Sequence, residues 1–137
     1  MRPVPAGATA SVEVVVTPEM TVRFDELGPV HPVYATYRMA QHFEEASRKL
    51  LLRYLEPGED GIGRSVTVEH LAPSRVGDRV RVTATCTEQR GNRLTCTCTA
   101  AGVDGDGEAR ELGRGGTVQA ALPRAALRAR LAGPAPG

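Results

Sequence analysis

The stretch TYRMAQHFEEASRKLLLRYL, from Thr36 to Leu55, decides the fold of this chain. It contains no glycine or proline, and the Pro57-Gly58 pair that follows it is typical of a helix end. Its apolar residues recur every three or four positions, at Met39, Phe43, Ala46, Leu50 and Tyr54. That spacing predicts one long helix with a core-facing stripe, in which Thr36 is either the N-cap or lies in the turn just before it.

The segments on either side of the helix alternate between apolar and polar residues, which predicts β-strands. One strand precedes the helix and ends at Pro18, a short extended piece spans Thr21–Phe24, and DELGPVHP at 25–32 is predicted as a loop. Four strands follow the helix, the last ending near Leu122, with glycines early in that strand indicating a bulge. The expected inward faces are Val12, Val14 and Val16; Val66, Val68 and His70; Val80, Val82, Ala84 and Cys86; and Leu94, Cys96, Cys98 and Ala100.

This order of one strand, one helix and four antiparallel strands predicts an α+β hot-dog fold, in which a twisted five-stranded antiparallel sheet wraps around one long central helix. An α+β sandwich with the helix on one face fits the same order of elements but leaves the second face of the helix wet. A single domain is expected over residues 11–124. The composition of residues 1–10 predicts a flexible N-terminus, and that of 125–137 a partly disordered tail.

The composition excludes several classes of function. The 137 residues carry a formal net charge of +1, which provides no overall field for nucleic acid or an anionic membrane. The chain has no apolar run long enough for a membrane span, no G-x-S-x-G elbow, no Walker loop and no dinucleotide fingerprint. Three cysteines, at 86, 96 and 98, are an odd number without metal-site spacing, so we expect core residues in a cytoplasmic protein rather than a disulfide framework or a metal site.

Two polar residues lie beside apolar faces. On the helix, Glu44 borders the buried stripe, where desolvation would raise its pKa and suit it to act as a base or nucleophile. The alternative is a surface ion pair with Arg48, as Glu45 is expected to pair with Lys49. His70 follows Val66 and Val68 on one strand face, so it is either a catalytic histidine or a structural one.

The residues around these two positions resemble the fluoroacetyl-CoA thioesterase family of hot-dog proteins. The family pattern is V-[FY]-A-T, a glutamate eight residues after that threonine, the phrase YLEPGE, and T-V-x-H on the next strand. This chain has VYAT at 33–36, Glu44, YLEPGE at 54–59 and TVEH at 67–70, all in register. The resemblance runs from about Val33 to Gly77 and continues more loosely to Leu122.

The resemblance implies an acyl-CoA thioesterase without a cofactor other than the coenzyme A of its substrate. Glu44 would attack the thioester carbonyl or activate water, Thr36 would orient the carboxylate, and His70 would polarise the reacting groups and assist proton transfer. The backbone N–H of Gly63 would stabilise the oxyanion. A homodimer or tetramer is expected, with each active site at the subunit interface and no nucleic-acid or membrane partner. The substrate-binding residues that it implies are Leu27, Val30, Tyr34 and Gln119.

The chain also departs from that pattern. Leu27 and Val30 stand where the member that selects fluoroacetyl groups has bulky phenylalanines, and Gln119 stands where an arginine is usual, with Arg114 nearby. Fluoroacetyl selectivity is therefore not expected.

Three other interpretations stay open. RFD at 23–25 faintly resembles the 4-hydroxybenzoyl-CoA type of thioesterase, with Asp25 as the carboxylate, although the rest of that signature is absent. A non-catalytic hot-dog protein could bind a small acyl compound or natural product, and a thioesterase could act on a carrier-protein thioester. Arg75, Arg79 and Arg81 could contact the CoA phosphates or could simply be a solvated strand face.

Overall fold

The computed structural model describes residues 1–103 and 109–134 and confirms the hot-dog arrangement. The described elements are β1 (Thr9–Val15), a 3-10 turn (Pro18–Met20), β2 (Thr21–Phe24), β3 (Gly28–Tyr34), α1 (Thr36–Leu51), β4 (Glu59–His70), β5 (Arg79–Arg90), β6 (Arg93–Val103), β7 (Ala109–Pro123) and α2 (Arg124–Ala132). Five strands form one antiparallel sheet in the order β1-β5-β6-β7-β4. The strands β2 and β3 form a separate hairpin.

The sheet wraps around α1, as the apolar stripe of the helix requires. Met39, Phe43, Ala46 and Leu50 are completely buried, and so are their neighbours Ser47 and Leu51. These residues form one continuous face of α1, and the opposite face, which carries Glu44, Glu45 and Arg48, is exposed. The sheet curls far enough for all five of its strands to contact α1, which favours the hot-dog arrangement over the alternative sandwich. The inward strand residues from Val80 to Ala100 are buried against it in the predicted alternation.

The helix ends one turn earlier than predicted, at Leu51 rather than near Leu55. Residues 52–54 form a tightened turn in which the N–H groups of Arg53 and Tyr54 donate to carbonyls only three residues back. Such bonds satisfy the last carbonyls of a helix and finish it before a proline. Thr36 is the first helical residue, the N-cap position is Ala35, and no side chain caps the helix.

The prediction of a loop at 25–32 was wrong in its second half, because β3 begins at Gly28. Pro29 and Pro32 of β3 are compatible with a two-stranded hairpin. Each lacks an N–H group, and the outer edge of such a hairpin has no neighbouring strand to which an N–H would donate. The predicted bulge early in the last strand is present, at Leu112, where the register of β6 and β7 shifts. The stretch GVDGDGEAR at 102–110 is rich in glycine and aspartate, which predicts a loop; its first two residues belong to β6, its last two to β7, and 104–108 lie outside the described residues.

Both chain ends contact the domain. Val4 is buried, and the N–H of Arg2 donates to the carbonyl of Tyr54. Leu127 of α2 is buried as well, and α2 contacts β7 and β4. The sequence prediction contained no helix at this position, although Leu127 and Leu131 are four residues apart; of the two, only Leu127 is buried.

Candidate active site

Thr36 and His70 meet at the end of β4. His70 is the last residue of that strand and shares its inner face with Val66 and Val68, as predicted, while Thr36 opens α1. Thr36 Oγ1 and His70 Nδ1 are 2.9 Å apart and hydrogen-bonded. The other ring nitrogen, Nε2, is buried and has no hydrogen-bond partner among the described residues. The hydrogen bond therefore orients the imidazole ring. His70 and Leu71 line a shallow hollow of about 290 Å³, from which the Nε2 atom itself is closed off.

Tyr34 lies beneath His70 and is fully buried. Its ring meets the imidazole edge-on, with centroids 6.1 Å apart. Its hydroxyl is hydrogen-bonded to Nδ1 of His42, which is also buried, and the two rings stack. Burial raises the pKa of Tyr34 above its ordinary value. Burial also lowers the pKa of His42, an effect that Arg38 reinforces and Glu45 opposes. Sequence analysis missed His42, although its helical position beside Met39 and Phe43 was a usable signal.

Glu44 lies on the exposed rim of a second, larger cavity of about 400 Å³. Gly63 of β4 is directly below it, since a Cβ atom at Gly63 would lie 3.3 Å from Glu44 Oε1. Gln119 of β7 lines the same cavity and is the cross-strand partner of Gly63. The structure thus brings together the predicted carboxylate, the predicted oxyanion donor and one predicted substrate-binding residue.

Arg48 does not pair with Glu44. Its guanidinium donates to Asp60 Oδ1 at 2.8 Å and to the carbonyl of Gly61 at 2.9 Å. Lys49 donates to the carbonyl of Ser11 instead of pairing with Glu45. Both surface pairs expected from the sequence are therefore wrong, because the sheet curls close enough to offer other acceptors to both cations.

The inner wall of this cavity is polar. Gln119 is only 5% exposed, and its Nε2 atom has no hydrogen-bond partner in the described part of the chain. Beside it, Thr117 Oγ1 and Ser47 Oγ are buried and 2.6 Å apart, with Cys98 Sγ 3.5 Å from Ser47. The hydroxyl pair was not foreseen, because only the paired sheet shows which residue faces Ser47.

The remaining candidates lie elsewhere. Leu27 and Val30 are on the β2–β3 hairpin and are 73% and 43% exposed, and neither lines the two cavities described above. Asp25 is exposed beside Arg23 and Tyr37, in a third depression that does not contain Glu44. Arg79 and Arg81 lie on the outer face of the sheet and pair with Glu13, at 3.4 Å and 3.3 Å.

The three cysteines are free and buried. Burial raises the pKa of each thiol, that of Cys96 to about 12. Across residues 1–103 and 109–134, no group of three or more His, Cys, Asp or Glu side chains is placed to hold a metal ion. Within the same ranges, no helix combines the length and the apolar composition that crossing a bilayer requires.

Thr36 and Glu44 are eight residues apart on one straight helix, which separates their Cα atoms by about 12 Å along the helix axis. The two halves of the predicted site therefore open into different cavities of one protomer.

A curled five-stranded antiparallel sheet around one long helix defines the class of hot-dog proteins. Residues 16–125 match the family model described as fluoroacetyl-CoA-specific thioesterase. The chain belongs to this family and is a thioester hydrolase.

Individual relatives agree with this assignment. A fluoroacetyl-CoA thioesterase of Streptantibioticus cattleyicolor is 34% identical over 94 residues, covering 65% of this chain and 68% of the relative. A solved hypothetical protein of Thermus thermophilus, described as a thioesterase superfamily member, is 50% identical with a TM-score of 0.90, over 96% of this chain and 93% of that one. A threonine-to-serine mutant of a fluoroacetyl-CoA thioesterase in complex with acetyl-CoA is 29% identical with a TM-score of 0.83, over 97% of this chain and 100% of that one.

Proposed function

We propose that this protein hydrolyses a small acyl-CoA through Glu44, Thr36 and His70. The observation that carries the proposal is the position of the Glu44 carboxylate over Gly63, at the rim of a cavity of about 400 Å³. Thioester hydrolysis needs a base or nucleophile and an oxyanion donor. We assign these roles to Glu44 and to the N–H of Gly63, two residues that line the same cavity. The acetyl-CoA complex of a relative supports a CoA ester as substrate.

The proposed reaction adds water across the thioester bond. Glu44 either removes a proton from the attacking water or attacks the carbonyl carbon itself, forming an anhydride that water then hydrolyses. The N–H of Gly63 stabilises the negative charge on the carbonyl oxygen, and the absence of a Cβ lets the substrate approach. The C–S bond breaks, and His70 Nε2 provides the proton for the departing thiolate. The products are a carboxylic acid and free coenzyme A, so no further cofactor is required.

A homodimer would join the two halves of the site. In one protomer the Thr36–His70 pair and Glu44 open into different cavities, which supports a composite site with Glu44 from one subunit and the pair from its partner. Strand β4 carries both Gly63 and His70 and is a 12-residue strand at the edge of the sheet. Long open edges of this kind are normally covered, and pairing with the β4 of a second copy would cover this one. A homodimer, alone or as half of a tetramer, and a cytoplasmic location complete the proposal.

Thiol release from a panel of short, branched, halogenated and aryl acyl-CoAs tests the function. We expect turnover of some panel members and a loss of about 100-fold or more in kcat for Glu44→Gln, because the amide cannot accept a proton or act as a nucleophile. Glu69→Gln is the matched control, since Glu69 is an exposed carboxylate paired with Arg114 on the outer face. We expect it to retain wild-type turnover.

Other outcomes would identify the alternatives. Turnover that survives Glu44→Gln would contradict the proposed carboxylate and direct attention to Asp25. A protein that binds the free acid but turns over no CoA ester would be a binding protein. Turnover of acyl-carrier proteins alone would identify a carrier-protein thioesterase.

A further inference from the structure

Gln119 presents an unused hydrogen-bonding group at the cavity below Glu44. It is 5% exposed, and its buried Nε2 atom has no partner in the parts of the chain that the structure describes. Leaving a buried amide without a hydrogen bond destabilises the folded state, so such a group in a native protein calls for a partner. Its side chain lines the cavity, where a ligand could supply one.

The register of the sheet brings Gln119 close to the reacting carbonyl of the proposed mechanism. It is the direct cross-strand partner of Gly63, and side-chain positions in such pairs are about 5 Å apart. An acyl carbonyl bound at the Gly63 N–H would therefore place the first carbons of its chain beside the Gln119 amide. The neighbouring hydroxyls of Thr117 and Ser47 are hydrogen-bonded to each other, and Cys98 Sγ lies within reach of both, at 4.0 Å and 3.5 Å. The Gln119 amide has no such partner among the described residues.

The charges around the cavity argue against an anionic acyl chain. Glu44 and Glu45 both line it, and Arg48, the one cation among the described lining residues, is paired with Asp60. A carboxylate on the acyl chain would meet two like charges without a free counter-charge. A hydroxyl or keto oxygen on the acyl chain is neutral and is not repelled by these two carboxylates.

We infer that the acyl group hydrolysed by this protein is short, neutral and oxygenated, with a hydroxyl or keto oxygen near the thioester that accepts a hydrogen bond from Gln119. This inference rests on the proposed function. A site built to hydrogen-bond a substrate oxygen discriminates strongly against the analogue that lacks it, because the protein group is then left unpaired.

The test compares CoA esters that differ in one oxygen. Glycolyl-CoA is compared with acetyl-CoA and fluoroacetyl-CoA, 3-hydroxybutyryl-CoA with butyryl-CoA, and malonyl-CoA serves as the anionic ester. We expect kcat/KM to be at least about 10-fold higher for a hydroxyacyl ester than for its deoxy partner, and malonyl-CoA to be the poorest substrate. In Gln119→Met, which has a similar length without the donor, that ratio should fall to about one.

The outcomes separate the inference from the function on which it rests. Hydrolysis by the wild type without preference for the oxygenated esters overturns the inference alone. A ratio that persists in Gln119→Met also overturns it, because the discrimination then comes from another group. Absence of hydrolysis with every ester overturns both. If Gln119→Met does not fold, as judged by circular dichroism, the kcat/KM ratios measured with the wild type still test the preference for oxygenated esters.

Discussion

His42 is a buried titratable side chain at the heart of the helix–sheet contact, hydrogen-bonded to Tyr34. Its pKa is lowered, first by burial and then by Arg38, so the folded state holds the neutral imidazole. In the unfolded chain the same residue has an ordinary pKa of about 6.5. Below that value the unfolded state binds more protons than the folded state, and stability therefore falls as the pH decreases.

We expect the melting temperature to fall between pH 7 and pH 5, and His42→Gln to reduce that fall by roughly a few degrees. Glutamine can still accept the hydrogen bond from Tyr34 but does not titrate. Differential scanning calorimetry at several pH values, with wild type and variant compared at each, measures the difference. If the melting temperatures of the two proteins fall by the same amount between pH 7 and pH 5, His42 does not link folding to protonation.

Thr36 shows how the position of a hydroxyl determines its role. A threonine at a helix start would usually be assigned to capping. Here the N-cap is Ala35, and the Thr36 hydroxyl is one residue further on, where it reaches His70. The side chain is therefore available to orient the imidazole.

At the scale of elements, the contact between β4 and β7 depends on glycines that let two backbones and the helix come together. A Cβ atom on Gly115 would lie 1.9 Å from the carbonyl oxygen of Thr67 and 3.2 Å from the ring of Phe43. The carbonyl of Thr67 belongs to the backbone and cannot move without breaking the hydrogen bonds between β4 and β7. The Gly113–Gly116 segment thus holds together the strand that carries His70 and Gly63.

Gly115→Ala should reduce the free energy of unfolding by about 3 kcal/mol or more, since overpacking against backbone forces a strand to shift. Urea denaturation measures this loss. Gly63→Ala is the matched control for stability, because its new Cβ would meet only the movable carboxylate of Glu44, at 3.3 Å. An equal loss of unfolding free energy in the two variants would contradict the proposal that stability depends on the close approach of β4 to Gly115.

At the scale of the whole molecule, the composite site in a homodimer can be tested without a structure of the dimer. Glu44→Gln and His70→Ala are each expected to be inactive alone. When the two are unfolded together and refolded at equal amounts, half of the dimers are mixed, and each mixed dimer contains one intact site. Activity should therefore return to roughly a quarter of the wild-type value.

Mixing the two variants after folding, under conditions without subunit exchange, is the control and should give no activity. If co-refolded protein is equally inactive while native mass spectrometry shows mixed dimers, the site lies within one protomer. A monomeric wild-type protein in analytical ultracentrifugation would overturn the homodimer itself.

Much of the fold follows from local patterns in the sequence. The period of Met39, Phe43, Ala46 and Leu50 determined the central helix, and the alternation from Val80 to Ala100 determined which strand faces point inward. The order of the elements then left few arrangements that bury both the apolar stripe of the helix and the inward faces of the strands. Glu44 and His70 could also be identified from the sequence, because polar residues beside apolar faces stand out from such patterns.

Other features depended on contacts between distant segments. The β3 strand, the early end of α1 and the helix α2 depend on pairing and packing partners far away in sequence, which local propensity does not encode. Arg48 pairs with Asp60 rather than with Glu44, because β4 curls past the helix. His42 is buried against Tyr34 and hydrogen-bonded to it. The sequence by itself determined the helix, the strand faces and the candidate groups, since these follow from local periodicity. Only the tertiary structure decided which of those groups share a cavity, since that depends on strand register and sheet curvature.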